Sequence, residues 1–128
     1  MAFSWTVETP PVRLAAGSVT ELRVVLTNRS PAPWPGEALA GTDRPLRAAY
    51  HWTPAGTRTP IPNDGVRAEI PTRVPPGARL VLLLPVKAPV LPGDYLFEVD
   101  LIQEFVAWFS EASPLRSAPL PVRVVEGR

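Results

Sequence analysis

The sequence predicts an all-β fold, an antiparallel sandwich of seven to nine strands in two sheets, and three observations carry that prediction. Apolar residues alternate with polar ones at a period of two, as they do in strands with one buried face. The 18 prolines leave only two Pro-free runs longer than a dozen residues, Val12 to Ser30 and Gly93 to Ser113, so a helix bundle has almost nowhere to place its helices. Turn signals recur at spacings of 8 to 15 residues, the interval expected of successive hairpins. A chain of 128 residues reads as one domain, 1–128. At that size a single core buries about two-thirds of the unfolded surface, so neither metal nor disulfide is needed for folding. An apolar content of 45% separates these prolines from those of a disordered chain, so they punctuate a globular fold.

Six strands follow from the alternation. Phe3, Trp5 and Val7 alternate with Ser4, Thr6 and Glu8 until Pro10-Pro11 stops the run. Leu22, Val24 and Leu26 form a second inward row, and Leu46, Ala48, Tyr50 and Trp52 a third, opposite Arg47, Ala49 and His51. Leu80, Leu82, Leu84 and Val86 make the fourth, although Val81 and Leu83 render its other face apolar too. Tyr95, Phe97, Val99 and Leu101 oppose Glu98 and Asp100, and Leu120, Val122 and Val124 oppose Arg123. A short seventh strand is expected around Val66 to Ile70, with weaker extended pieces near Val12 to Leu14 and Arg58 to Ile61.

The connections carry their own chemistry. Pro presets the first central residue of a type II turn and Gly tolerates the positive φ of the second, which fits Pro76-Gly77 and Pro92-Gly93. Asn63-Asp64-Gly65 reads as a tight hairpin. Two details make the expected sandwich immunoglobulin-like. Tyr95, just after Pro92-Gly93-Asp94, sits where a tyrosine corner returns its hydroxyl to upstream backbone, and Trp52 ends an inward row near the place where such sandwiches bury a tryptophan. Burial of an indole contributes on the order of 4–6 kcal/mol as an upper bound. With no disulfide available, Phe97 and the Leu22/Val24 row are expected to fill the volume between the sheets.

Prolines within strands also have positional meaning. Pro85 must lie at an edge, a bulge or a strand exit, and with Lys87 it would guard the apolar Leu80 to Leu84 segment against edge-to-edge aggregation. Pro119 and Pro121 alternate with Leu120 and Val122, so the last strand is expected at an edge or with its ladder broken on one side.

Composition removes several functions. A net charge of +1 with singly scattered arginines argues against a nucleic-acid partner. No apolar stretch reaches the roughly 20 residues of a membrane span, and Met1 to Pro10 lacks the pattern of a secretion signal; taken as complete, the chain is expected in the cytoplasm. Absence of cysteine removes thiol catalysis and thiolate metal sites, and His51 as the sole histidine argues against an imidazole site. Asp100 with Glu104 is the nearest carboxylate pair, but nothing marks an enclosed cleft that would raise one pKa. Ser110 and Ser113 lack a nucleophile-elbow pattern, and the eight glycines form no phosphate loop. The expectation is therefore a protein that is not an enzyme and carries no cofactor. Asn28-Arg29-Ser30 matches a glycosylation sequon, but Pro31 follows and no secretion signal precedes, so the match is read as chance.

An ordered set of motifs resembles a known family. Tyr50-His51-Trp52, Asn63-Asp64-Gly65-Val66-Arg67, Val74-Pro75-Pro76-Gly77, Ala88-Pro89, Pro92-Gly93-Asp94-Tyr95, Asp100 to Glu104 and Ala107-Trp108-Phe109 follow one another between about residues 20 and 125. The string resembles the immunoglobulin-like accessory domains attached to bacterial glycosyltransferases and methyltransferases of surface-polysaccharide synthesis. At the level of fold it is similar to the polysaccharide-binding C-terminal domain of O-antigen ABC-transporter ATPases. Phe105 stands where the family pattern has glycine. The resemblance implies a non-catalytic module recognising a bacterial polysaccharide or lipid-linked glycan.

The residues that would serve such a ligand are Asp100, Gln103, Glu104, Trp108, Phe109 and Trp34, because a sugar site pairs carboxylate and amide groups with an aromatic face. A structural reading competes at each. Asp100 and Glu98 would pair across strands with Arg47 and His51, one of Trp108 and Phe109 would be core, and Trp34 would cap the open end of the sandwich. The alternative function is a protein-interaction or architectural domain that pairs through a sheet edge or apolar face, including as a dimer. Its motive is Val25, Val81, Leu83 and Ile102, all on nominally outward positions. A protease inhibitor on the same scaffold is permitted by size, with no residue favouring it.

Overall fold

A computed structural model describes residues 3–36, 46–62, 67–70, 72–103, 107–108 and 118–127. Every described element is a strand: β1 (Phe3–Val7), β2 (Arg13–Ala15), β3 (Val19–Asn28), β4 (Trp34–Pro35), β5 (Leu46–Pro54), β6 (Ala68–Glu69), β7 (Arg73–Val74), β8 (Arg79–Lys87), β9 (Gly93–Gln103), β10 (Ala107–Trp108) and β11 (Leu120–Val125). One sheet has the order β1-β3-β8 and the other β2-β11-β9-β5-β6, with β10 paired to β9; β4 and β7 make a separate short ladder. Pairing is antiparallel except between β2 and β11. The first stretch of chain serves both sheets, because Pro10-Pro11 ends β1 and lets β2 cross to β11.

The predicted inward rows meet in one core, giving an all-β, sandwich-like arrangement. Phe3, Trp5, Leu22, Val24, Leu26, Leu84 and Val86 of the first sheet pack with Tyr50, Trp52, Phe97, Val99, Val122 and Val124 of the second. Phe97 takes the central place anticipated for it: its ring lies 4.9 Å from Trp52, 5.9 Å from Tyr50 and 6.1 Å from Trp5, the last edge-on across the two sheets. Polar bonds also cross the gap. Lys87 donates its N–H to Tyr50 Oη at 3.0 Å and accepts from Trp52 Nε1 at 3.0 Å, so the end of β8 is fastened to β5 by two aromatic side chains.

The turns divide. Gly77 has φ +78° and Ala78 N–H bonds to Pro75 O at 3.0 Å, as a type II turn requires. Gly93 has φ +155°, far from the roughly +80° of that turn, and opens β9 in an extended form that suits glycine. The expected type II turn at Pro92-Gly93 is thus replaced by a direct entry into the strand. The tyrosine corner forms nonetheless, with Tyr95 Oη donating to Leu91 O at 2.7 Å.

Pro85 and Pro121 obey one rule. In the β3–β8 ladder, Asn28 N–H bonds to Ala78 O, and Lys87 directs its N–H and C=O to β5. Alternation then turns the backbone groups of Arg79, Val81, Leu83, Pro85 and Lys87 away from β3. The ring nitrogen of Pro85 therefore faces the side of β8 away from β3, where no described strand pairs, and breaks no bond of the sheet. Likewise Arg123 N–H reaches Val12 O on the β2 side of β11, so Pro121, two residues earlier, faces a stretch that β2 does not reach. β11 is an inner strand with a ladder broken on one side, the second of the two expected placements.

Several expectations need correction. Of the expected seventh strand, the described residues form Ala68–Glu69, Val66 lying outside them; the weak Val12 to Leu14 piece is a paired strand at Arg13–Ala15, and Arg58 to Ile61 contributes one bond, Ile61 N–H to Trp52 O, without becoming a strand. The Asn63-Asp64-Gly65 hairpin lies outside the described residues. Ladders at β4, β7 and β10 carry no alternation to betray them, since two residues hold no period. On the second sheet, Ala49, Asp100 and Ile102 are buried although the alternation puts them outward: both faces of β5 and β9 are occupied there.

Candidate functional site

The expected ligand residues come from three places in the fold. Asp100 lies on β9 opposite Ala49 of β5, and His51 sits two residues along on the same face. Their side chains meet, with His51 Nε2 2.7 Å from Asp100 Oδ2. The anticipated partnership between these strands is thus present, but it is not a solvent-exposed pair: Asp100 is 0% exposed. Its second oxygen, Oδ1, accepts Leu101 N–H at 2.8 Å. A carboxylate so placed ties β5 to β9 through His51 and Leu101. A buried carboxylate is tolerated only when hydrogen-bonded, and these contacts provide that.

Gln103 and Trp108 belong to the β9–β10 ladder, where Gln103 pairs with Ala107 and Ile102 with Trp108. Glu104, Phe105 and Phe109 lie outside the described residues. Trp34 is on β4, opposite Val74 of β7, and is fully buried, so it is a capping residue of the core and not an exposed aromatic face. Its Nε1 has no hydrogen-bond partner, the one such buried side-chain atom among the described residues. Gly36 permits this arrangement: a Cβ there would run into the carbonyl oxygens of Ile70 and Thr72. The three residues expected to be structural, Trp52, Tyr95 and Phe97, are buried as anticipated.

Sequence reasoning undervalued Asn28, whose sequon looked incidental. It is fully buried at the end of β3. Nδ2 donates to Ala32 O and Val74 O, each at 2.9 Å, while Oδ1 accepts Ser30 N–H at 2.9 Å and Ser30 Oγ at 2.6 Å. The amide is a clamp between β3, the loop before β4, and β7. An asparagine ending an apolar-periodic strand, followed two residues later by serine, was the available signal, since Asx turns are made this way.

Two surface features among the described residues involve the first sheet. An open apolar hollow of about 460 Å³ between β1 and β11 is lined by Trp5, Thr6, Val7, Pro10, Ala118 and Leu120, and this lining offers no ionisable group for catalysis. The second is the outer face of β8. Val81 and Leu83, consecutive on that face, are each 51% exposed, and Val81 stands directly opposite the half-buried Val25 of β3. Arg79 and Lys87 bracket the strip at either end. Of the four outward apolar residues expected, Ile102 alone is buried. Elsewhere, Arg123 bonds Asp94 at 3.0 Å, and this hydrogen bond, followed by the charge attraction, raises the guanidinium pKa further above its ordinary value. No helix among the described residues is long and apolar enough to cross a membrane.

No family profile matches the chain, and no curated protein does. Among solved structures it is similar to part of the native conformation of the E. coli alpha-2-macroglobulin, with 16% identity over 95% of this chain and a TM-score of 0.40. It is also similar to a conjugative transposon lipoprotein from Bacteroides eggerthii, with 15% identity, 94% of this chain and 95% of that chain covered, and a TM-score of 0.37. The chain spans 7% of the alpha-2-macroglobulin, and likenesses this distant bring no function with them.

Proposed function

We propose that the chain is an immunoglobulin-like, non-catalytic interaction module that binds a partner protein through β8. The immunoglobulin-like assignment is supported by the strand orders β1-β3-β8 and β2-β11-β9-β5-β6, by the tyrosine corner at Tyr95 and by the buried Trp52. The observation that carries the function is the exposure of Val81 and Leu83 side by side on an edge strand. A contiguous apolar strip at an unpaired edge is costly in water and open to strand pairing, which is the physical basis of partner recognition by strand addition. The resemblance to accessory domains of glycosyltransferases and methyltransferases supports the same class of role, with the enzyme as partner. A glycan ligand is supported by fewer residues, since Asp100 and Trp34 are buried.

A photo-crosslinking side chain placed at Val81 or Leu83, in cells that express the protein naturally, tests this reading. The expected outcome is a single protein adduct, absent when the crosslinker occupies Thr6 on the far strand of the same sheet. Glycan-array binding that is lost on altering Trp108, with no adduct at β8, would move the function to the β9–β10 ladder.

A further inference from the structure

We infer that the occupant of β8 is an extended segment of the partner whose two alternating aliphatic residues lie opposite Val81 and Leu83, flanked by carboxylates opposite Arg79 and Lys87. This deepens the reading of β8 as the partner surface and rests on it. The backbone sets the length of the added ladder. Val81 and Leu83 each turn an N–H and a C=O to the free edge, and no described residue takes them. Pro85 offers a carbonyl only, and both groups of Lys87 are held by Tyr50 and Trp52. The ladder therefore runs from Arg79 to Pro85 and stops where the sheets are fastened together. So few bonds confer little affinity, and the side chains must add to it.

Charge then selects the partner. Arg79 and Lys87 are exposed and take part in no ion pair among the described residues, whereas Arg23, the cation of the neighbouring strand, is bonded to Glu8 at 2.9 Å. In a pair of copies related by a twofold axis at Leu83, each Arg79 would oppose the other's Lys87. Like charges directly opposite destabilise a strand pair, so the same cations that oppose self-association favour a segment with acids at those two positions.

The probe is the peptide acetyl-Glu-Thr-Ser-Thr-Val-Thr-Val-Thr-Glu-amide, compared with its counterpart carrying Lys at both ends, each titrated into the intact chain and followed by amide NMR. The acidic peptide is expected to bind about tenfold more tightly at low salt, a difference of roughly 1.4 kcal/mol, and to protect the Val81 and Leu83 amides from exchange. Raising the salt should narrow the gap. In the Arg79→Glu, Lys87→Glu double variant, whose fold is checked by its melting temperature, the preference should reverse. Equal binding of the two peptides, with both amides protected, would overturn the charge selection and leave β8 as the surface. Absence of protection with either peptide would overturn the surface itself.

Discussion

Substitution of Asn28 by alanine removes four hydrogen bonds from a fully buried site. Ala32 O keeps a donor, because Ser30 Oγ also reaches it at 2.8 Å. The groups deprived of the bonds that Asn28 supplied are then mainly Ser30 N–H and Val74 C=O. At about 1–3 kcal/mol for each buried group left unmade, the loss is roughly 2–6 kcal/mol, a large part of the 5–15 kcal/mol typical of a domain. Asn28→Asp sharpens the test. It puts an oxygen where Nδ2 donates to two carbonyls at 2.9 Å, so the ionised form meets acceptors and only the protonated form restores a donor. The pKa of the introduced carboxyl is therefore raised on folding above its unfolded value of about 3.9. Below that value both states hold the proton and stability is unaffected by linkage. As pH rises, the unfolded chain ionises first, so the variant loses stability relative to the parent until its folded pKa is passed. Urea titrations followed by tryptophan fluorescence at pH 4 and pH 7 measure both effects. A cost for Asn28→Ala under about 1 kcal/mol, or an Asn28→Asp penalty that does not change with pH, would refute the clamp.

Trp52→Phe should cost about 2 kcal/mol and Tyr50→Phe about 1 kcal/mol in the same assay. Because both side chains bond Lys87, the double variant should depart from additivity by about 0.5 kcal/mol or more, and strict additivity would argue against a shared fastening. Gly36→Ala should lower stability by at least about 2 kcal/mol, since its Cβ meets two backbone carbonyls that cannot rotate away; a melting temperature equal to the parent's would contradict the close approach. Asp100→Ala should cost about 2–4 kcal/mol by removing the carboxylate that His51 Nε2 and Leu101 N–H bond to, and leave any glycan affinity unchanged. Unchanged stability with lost glycan binding would restore Asp100 as a ligand residue.

The sequence alone determined the long strands and the makeup of the core. Each of the six long rows has enough residues to show its period, and Phe97, Trp52 and Tyr95 were legible because an inward aromatic has few places to go. It also confined Pro85 to an edge, a bulge or a strand exit and Pro121 to an edge or a ladder broken on one side, since a proline cannot donate there. What only the tertiary structure decided concerns partners distant along the chain. Trp34 was an aromatic in a proline-rich loop until Val74, 40 residues on, was seen opposite it. Asp100 was an outward carboxylate until its burial against His51 appeared, because alternation says which residues share a face and not whether that face is covered. Asn28 has a clamp partner 46 residues away at Val74, and no local pattern encodes that meeting. The same limit applies to β8: the apolar residues at Val81 and Leu83 are plain in the sequence, while their exposure on a strand that ends its sheet among the described residues depends on which strands lie beside it.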